Sequence, residues 1–217
     1  MWAFYLQDMP ENDPVQVLLD ILPVLPVFAV ALLAITFHEA AHAFVANACG
    51  DDTAKSLGRV SLNPIPHIDP IGTILLPAFL YLIHAPFLFG WAKPVPVDWS
   101  KLRHLRRDMM LVAAAGPGAN FLLAAVSSGL LFAAYRAALT PGWLVQALSI
   151  SVAFNLLLGV FNLLPIPPLD GSKVLAGLLP EKWGLRLLGL GRRRNSLKWH
   201  RGSSGSILPN SKSDPGV

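Results

Sequence analysis

Phe37-His38-Glu39-Ala40-Ala41-His42 lies inside an apolar run from Val27 to Ala48. Read as H-E-x-x-H on a helix, it projects two imidazoles from one face, one turn apart. Two imidazoles at that spacing can hold one Zn²⁺, and the Glu between them can act as general base on a water. The residues upstream, Phe28 to Thr36, have the composition of a membrane helix rather than of a soluble enzyme. The plain alternative is a pair of histidines satisfied by neighbouring helices. A carboxyl group in hydrocarbon argues against it, because such a group is costly and usually functional.

The totals agree with a membrane setting. The 217 residues are 53% hydrophobic and 14% charged, and the mean hydropathy is +0.52. A soluble domain carries about a quarter charged residues. The length allows a compact bundle of several spans. The net charge of +4 does not point to nucleic acid. The basic residues sit beside apolar runs, where the positive-inside rule accounts for them. Cys49 has no second cysteine to pair with and reads as a small packing residue. The N-terminus carries Asp8, Glu11 and Asp13 and lacks the basic start of a signal peptide.

Three parts follow along the chain. Residues 1–26 are an acidic lead and an apolar entry segment broken by prolines. Residues 27–180 form the core, and residues 181–217 a basic and then disordered tail. Full spans are expected near 27–48, 109–138 and 143–164, joined by a basic loop from Lys93 to Arg107. Ile71 to Gly90 is apolar for just long enough to cross. A fourth full crossing would place the basic loop outside, so this stretch is expected to re-enter by one face or to be an extra short membrane segment. Val60 and Leu62 alternate with polar neighbours, a weak strand signal. Val95 and Val97 alternate with Pro94 and Pro96, which suits an edge strand. The expected fold is an all-α polytopic membrane protein: at least three core transmembrane helices, the re-entrant segment and a small membrane-associated β-hairpin. The N-terminus is expected outside the cell membrane and the H-E-x-x-H end toward the cytoplasm.

A catalytic zinc site needs three protein ligands and an open position. His38 and His42 supply two. Asp170 leads for the third, because three prolines in Pro165-Ile166-Pro167-Pro168 end the last span and Asp170-Gly171 then reads as a tight turn presenting a carboxylate. Asp69 and then His67 come next, although ordinary turn hydrogen bonding explains both more simply. Gly116 and Asn120, four apart in Gly116-Pro117-Gly118-Ala119-Asn120, suit close helix packing, with Asn120 as interhelical hydrogen-bond glue ahead of a catalytic helper.

These stretches together resemble the site-2 protease family of intramembrane zinc metalloproteases, peptidase family M50. HEAAH at 38–42 is similar to the family's H-E-x-x-H. Asn162-Leu163-Leu164-Pro165-Ile166-Pro167-Pro168-Leu169-Asp170-Gly171 resembles its second motif, and Gly116–Asn120 its G-P-x-x-N. The likeness covers residues 27 to about 180 and is to the small bacterial and archaeal members without a PDZ domain. Beyond it, related chains continue with another hydrophobic segment, where this chain has Gly189–Arg201 and a polar tail. The resemblance implies one Zn²⁺ per chain held by His38, His42 and Asp170, with Glu39 activating the water. It implies Asn162 as an oxyanion donor and Asn120 as a supporting residue. It also implies a substrate that spans the bilayer. Val60, Leu62, Val95 and Val97 are then candidates to hold the unwound substrate by strand addition. Two alternatives stand beside this reading: an ion-relay membrane protein, and a catalytically inactive family member that binds membrane helices.

Overall fold

The computed structural model describes residues 24–83, 85 and 90–189. The acidic lead, the entry segment before residue 24, His84 and the basic tail beyond residue 189 lie outside the described residues. Three of the described helices are long and apolar enough to cross a membrane. They are α1 (Val24–Ala48), α4 (Leu105–Arg136) and α5 (Gly142–Asn162). Short helices complete the chain: α2 (Thr53–Ser56), α3 (Leu76–Leu82), α6 (Asp170–Leu178) and α7 (Glu181–Leu187). The chain is a multi-pass membrane protein.

α1 ends where glycine allows it to. Gly50 adopts φ +112°, the Gly50 N–H donates to Asn47 O and the Asp51 N–H donates to Ala46 O. This is the Schellman closure, in which a left-handed residue lets the last carbonyls find donors. α4 packs most extensively, against α5, α1 and α6. Small side chains of both helices, Ala34, Ala43 and Ala46 of α1 and Ala113 of α4, are buried. Within lipid there is little hydrophobic drive between helices, so close backbone approach and van der Waals contact hold them together. Large apolar residues such as Leu33, Phe44, Leu122, Phe132 and Leu157 face outward. Several polar side chains of the spans, Thr36, His38, His42, Asn120, Ser127 and Asn155, are buried inside the bundle. That inversion is expected when the solvent is hydrocarbon.

The stretch after α2 departs from the expected hairpin. No strand occurs among the described residues. Residues 60–62 form bends, and residues 91–98 have no regular structure and build no ladder. The cause is chemical. Pro94 and Pro96 carry no N–H, and other donors of the stretch go elsewhere: Lys93 N–H to His67 O, Val95 N–H to Glu39 Oε2 and Asp98 N–H to Asp51 Oδ2. The apolar segment that follows begins as a π-helical turn, Pro70–Leu75, and continues as α3. Together these thirteen residues rise about 20 Å, less than a hydrocarbon core. The chain then comes back, because the Trp91 N–H donates to Gly72 O at 3.1 Å.

Asp170-Gly171 is a second correction. It is the first turn of α6, not a tight turn. A Cβ at Gly171 would lie 2.1 Å from the Leu163 carbonyl oxygen at the end of α5, so only glycine lets α6 start against that helix. At its other end, the Arg106 guanidinium of α4 donates to the carbonyls of Gly177, Leu178 and Leu179. α6 is thereby pinned at both termini.

Candidate metal centre

Helix periodicity places His38 and His42 of α1 side by side, with ring centroids 4.6 Å apart and the rings nearly perpendicular. α6 brings Asp170 to them across 128 residues of chain. His42 Nε2 lies 3.1 Å from His38 Nε2 and 3.1 Å from Asp170 Oδ2, and His38 Nε2 lies 3.3 Å from the same oxygen. All three residues are buried. Among the described residues no other trio of His, Cys, Asp or Glu meets in this way.

The far side of each imidazole decides what this triangle is for. His42 Nδ1 is 2.7 Å from the Val112 carbonyl, which can only accept. His38 Nδ1 is 2.6 Å from Asn120 Oδ1. The Asn120 amide is oriented by its own donors, which go to Ala34 O and Asn155 Oδ1. Both rings therefore carry their proton on Nδ1 when neutral, and both Nε2 lone pairs face inward. Two lone pairs and a carboxylate oxygen at 3.1–3.3 Å repel unless a cation sits among them. Ligand atoms about 2.0–2.1 Å from a tetrahedral Zn²⁺ are about 3.3 Å apart. The triangle matches one face of that tetrahedron, so the donor set fits zinc and leaves one position open.

Room for an ion is secured by Gly116. A Cβ there would come within 2.4 Å of His42 Nε2 and 2.6 Å of His38 Nε2. Asp170 also donates nothing to the triangle. The nearby Lys173 ammonium favours its charged form. Lys173 Nζ takes the other oxygen, Oδ1, at 2.8 Å. Oδ2 is left for the centre.

The other candidates are placed as follows. Glu39 lies beside His38, and its Oε2 accepts from the Val95 N–H at 2.8 Å. Asn120 joins α1 to α5 through His38 Nδ1, Ala34 O and Asn155 Oδ1. Asn162 ends α5 and donates to Leu158 O of its own helix. Asp69 caps the π-helical turn by accepting from Ile71 N–H and Gly72 N–H, and His67 Nε2 pairs with Ser61 O. Neither joins the triangle. Leu62 is exposed, and Val97 packs against the buried cluster around Ala46, Leu102 and Met109.

Asn155 is the residue that sequence reading missed. It extends the buried polar chain from Asn120 to Ser151 O, and Ser151 Oγ meets Ser127 Oγ at 2.8 Å. The available signal was an amide inside an otherwise apolar span. Asn120→Ala should free His38 to change tautomer. Loss of such an outer partner costs about 10- to 100-fold in metal affinity, and a zinc-chelator competition titration would measure it. An unchanged affinity would deny Asn120 this role.

Comparison with known proteins gives the chemistry a family context. Residues 127–186 match the model of peptidase family M50. The chain is 43% identical over 166 residues to "Putative zinc metalloprotease YwhC" of Bacillus subtilis, covering 73% of this chain and 72% of that protein. It is 31% identical over 140 residues to "Putative zinc metalloprotease Rip2" of Mycolicibacterium smegmatis, covering 64% and 52%. The Mycobacterium tuberculosis protein of the same name is 35% identical over 148 residues, covering 66% and 53%. The chain thus spans about half the length of these two mycobacterial relatives. No solved structure matches it.

Proposed function

The chain belongs to peptidase family M50 and is a zinc metalloendopeptidase, and from that premise we propose that His38, His42 and Asp170 hold its zinc within the membrane. The observation that carries this reading is the triangle of three inward-facing acceptors beside a glycine. When bound, the ion acidifies a water toward neutral pH and polarises a carbonyl. Everything else falls to the protein. Glu39 takes the proton from the attacking water and returns it to the leaving amine. Asn162 uses one amide N–H on Leu158 O, which leaves the second for the developing oxyanion. Burial of the three ligands keeps bulk solvent from competing for them.

The substrate is a membrane-spanning protein segment. Its helix must unwind before attack, because helical backbone groups are already paired. The unwound chain lies along Val60–Leu62 and Val95–Val97, and it uses carbonyls there, since the Val95 N–H is committed to Glu39. The site lies at the end of the bundle where α1 exits and α4 begins, joined by the Arg103 N–H on Cys49 O. Lys101, Arg103, Arg106 and Arg107 crowd that end, so it faces the cytoplasm. The adjacency of Gly72 and Trp91 supports a 71–90 segment that enters and leaves by that same face.

Metal analysis of the purified full chain tests the ligand set. One zinc per chain is expected in the wild type, with much weaker retention under chelator competition in Asp170→Ala. Equal retention in the two proteins would remove Asp170 from the site.

A further inference from the structure

One peptide unit links a buried cation to the proposed general base. The Pro94 carbonyl and the Val95 N–H belong to the same planar amide. At its oxygen end, Arg59 Nη1 donates to Pro94 O at 3.0 Å and also to Lys93 O at 3.1 Å. At its nitrogen end, the Val95 N–H donates to Glu39 Oε2 at 2.8 Å. Arg59 is only 5% exposed. A guanidinium removed from water is expensive unless its donors are satisfied, and this one spends a charge on neutral carbonyls.

The amide carries a dipole with its negative end at oxygen and its positive end at N–H. A cation on the oxygen deepens that polarisation and strengthens the bond made by the N–H, as in any hydrogen-bonded chain. The sequence also isolates the unit. Pro94 and Pro96 have no N–H, so Val95 holds the one backbone donor of residues 94–96. The strap is fixed on either side by the Lys93 N–H on His67 O and the Asp98 N–H on buried Asp51. Arg59 itself is tied down by its N–H on Ala54 O at 2.8 Å.

We propose that Arg59 is a positioning residue for catalysis, acting through the Pro94–Val95 amide to hold one carboxylate oxygen of Glu39 so that the other is aimed at the water. The proposal rests on Glu39 being the general base. It gives the Val95 N–H to the base and leaves the Val95 carbonyl to the substrate strand. A base displaced by about 1 Å costs about 100-fold in rate. Arg59→Gln and Val95→Pro should therefore each lower kcat by about 10- to 100-fold with KM nearly unchanged. Because both act on one bond, the double variant should be no slower than the slower single one.

The test uses ¹⁵N-valine-labelled full-length holoprotein in detergent micelles, with zinc content measured in every sample. Its substrate is a fluorescence-quenched transmembrane peptide with a helix-destabilised centre. The Val95 amide proton is expected well downfield. It should move upfield in Glu39→Gln and in Arg59→Gln, and return part-way in Arg59→Lys, which keeps one charged donor. Zinc should stay at the wild-type level throughout. A Val95 resonance indifferent to Arg59→Gln would overturn the proposal, and so would additive kcat losses or a rise in KM alone. These resonances are read without turnover. Wild-type protein lacking zinc or activity would strike the metalloprotease assignment, while the Arg59 effect on Val95 would still stand or fall separately.

Discussion

Gly116→Ala is expected to abolish stoichiometric zinc binding and, with it, proteolysis. The added Cβ would sit 2.4 Å from His42 Nε2 and 2.6 Å from both Cε1 and Nε2 of His38. Real carbon atoms do not approach so closely, so something must move. The imidazoles cannot swing aside cheaply. Each is held at Nδ1, one by the Val112 carbonyl and the other by Asn120. Both partners belong to α4, the helix that carries Gly116, so a shift of that helix drags the anchors with it. Overpacking of this sort costs about 1–3 kcal/mol in a well-packed core, which a pinned three-helix bundle can survive. The expected result is a folded, zinc-free protein, checked by metal analysis beside circular dichroism. Gly118→Ala is the control, because a Cβ there meets nothing within 4 Å. It should keep its zinc. Full zinc occupancy in Gly116→Ala would mean that the ion does not sit between these nitrogens.

Glu39→Gln separates the metal from the chemistry. The amide keeps an oxygen to accept the Val95 N–H, nearly the same volume, and no role among the three converging ligands. It has lost only its ability to take a proton. Zinc content should stay at the wild-type level while cleavage falls by about 10²- to 10⁴-fold, the usual worth of a positioned general base. The pair of variants is diagnostic: one protein without metal and one with metal but without turnover. Activity retained in Glu39→Gln would send the general-base role elsewhere and would remove the footing of the Arg59 relay.

Much of this was legible because it is local. The four-residue spacing of His38 and His42 survives as a shared helix face. The three spans appear within a few residues of the expected limits, since each is set by the apolar length needed to cross lipid. The expected hairpin failed for a reason also written in the residues. Two prolines in Trp91–Val97 were read as marks of an edge strand, yet they left too few donors for any ladder. Asp170-Gly171 was read as a turn because Gly follows Asp. Its glycine instead answers to the Leu163 carbonyl of another helix, which no local pattern reports.

Sequence by itself determined the chemistry on offer: two imidazoles and a carboxylate at helical spacing, apolar spans to house them, and a proline-rich exit carrying an acid. The tertiary structure brought Asp170, the acid already favoured, to the triangle, and set Gly116 against both imidazoles. It also decided that the Val95 N–H belongs to Glu39. The physical reason is one of range. Periodicity and composition report what a residue does within a turn or two of its own backbone. Metal geometry, close glycine contacts and a peptide bridged between two charges depend on where separate helices cross, and crossing is settled by packing.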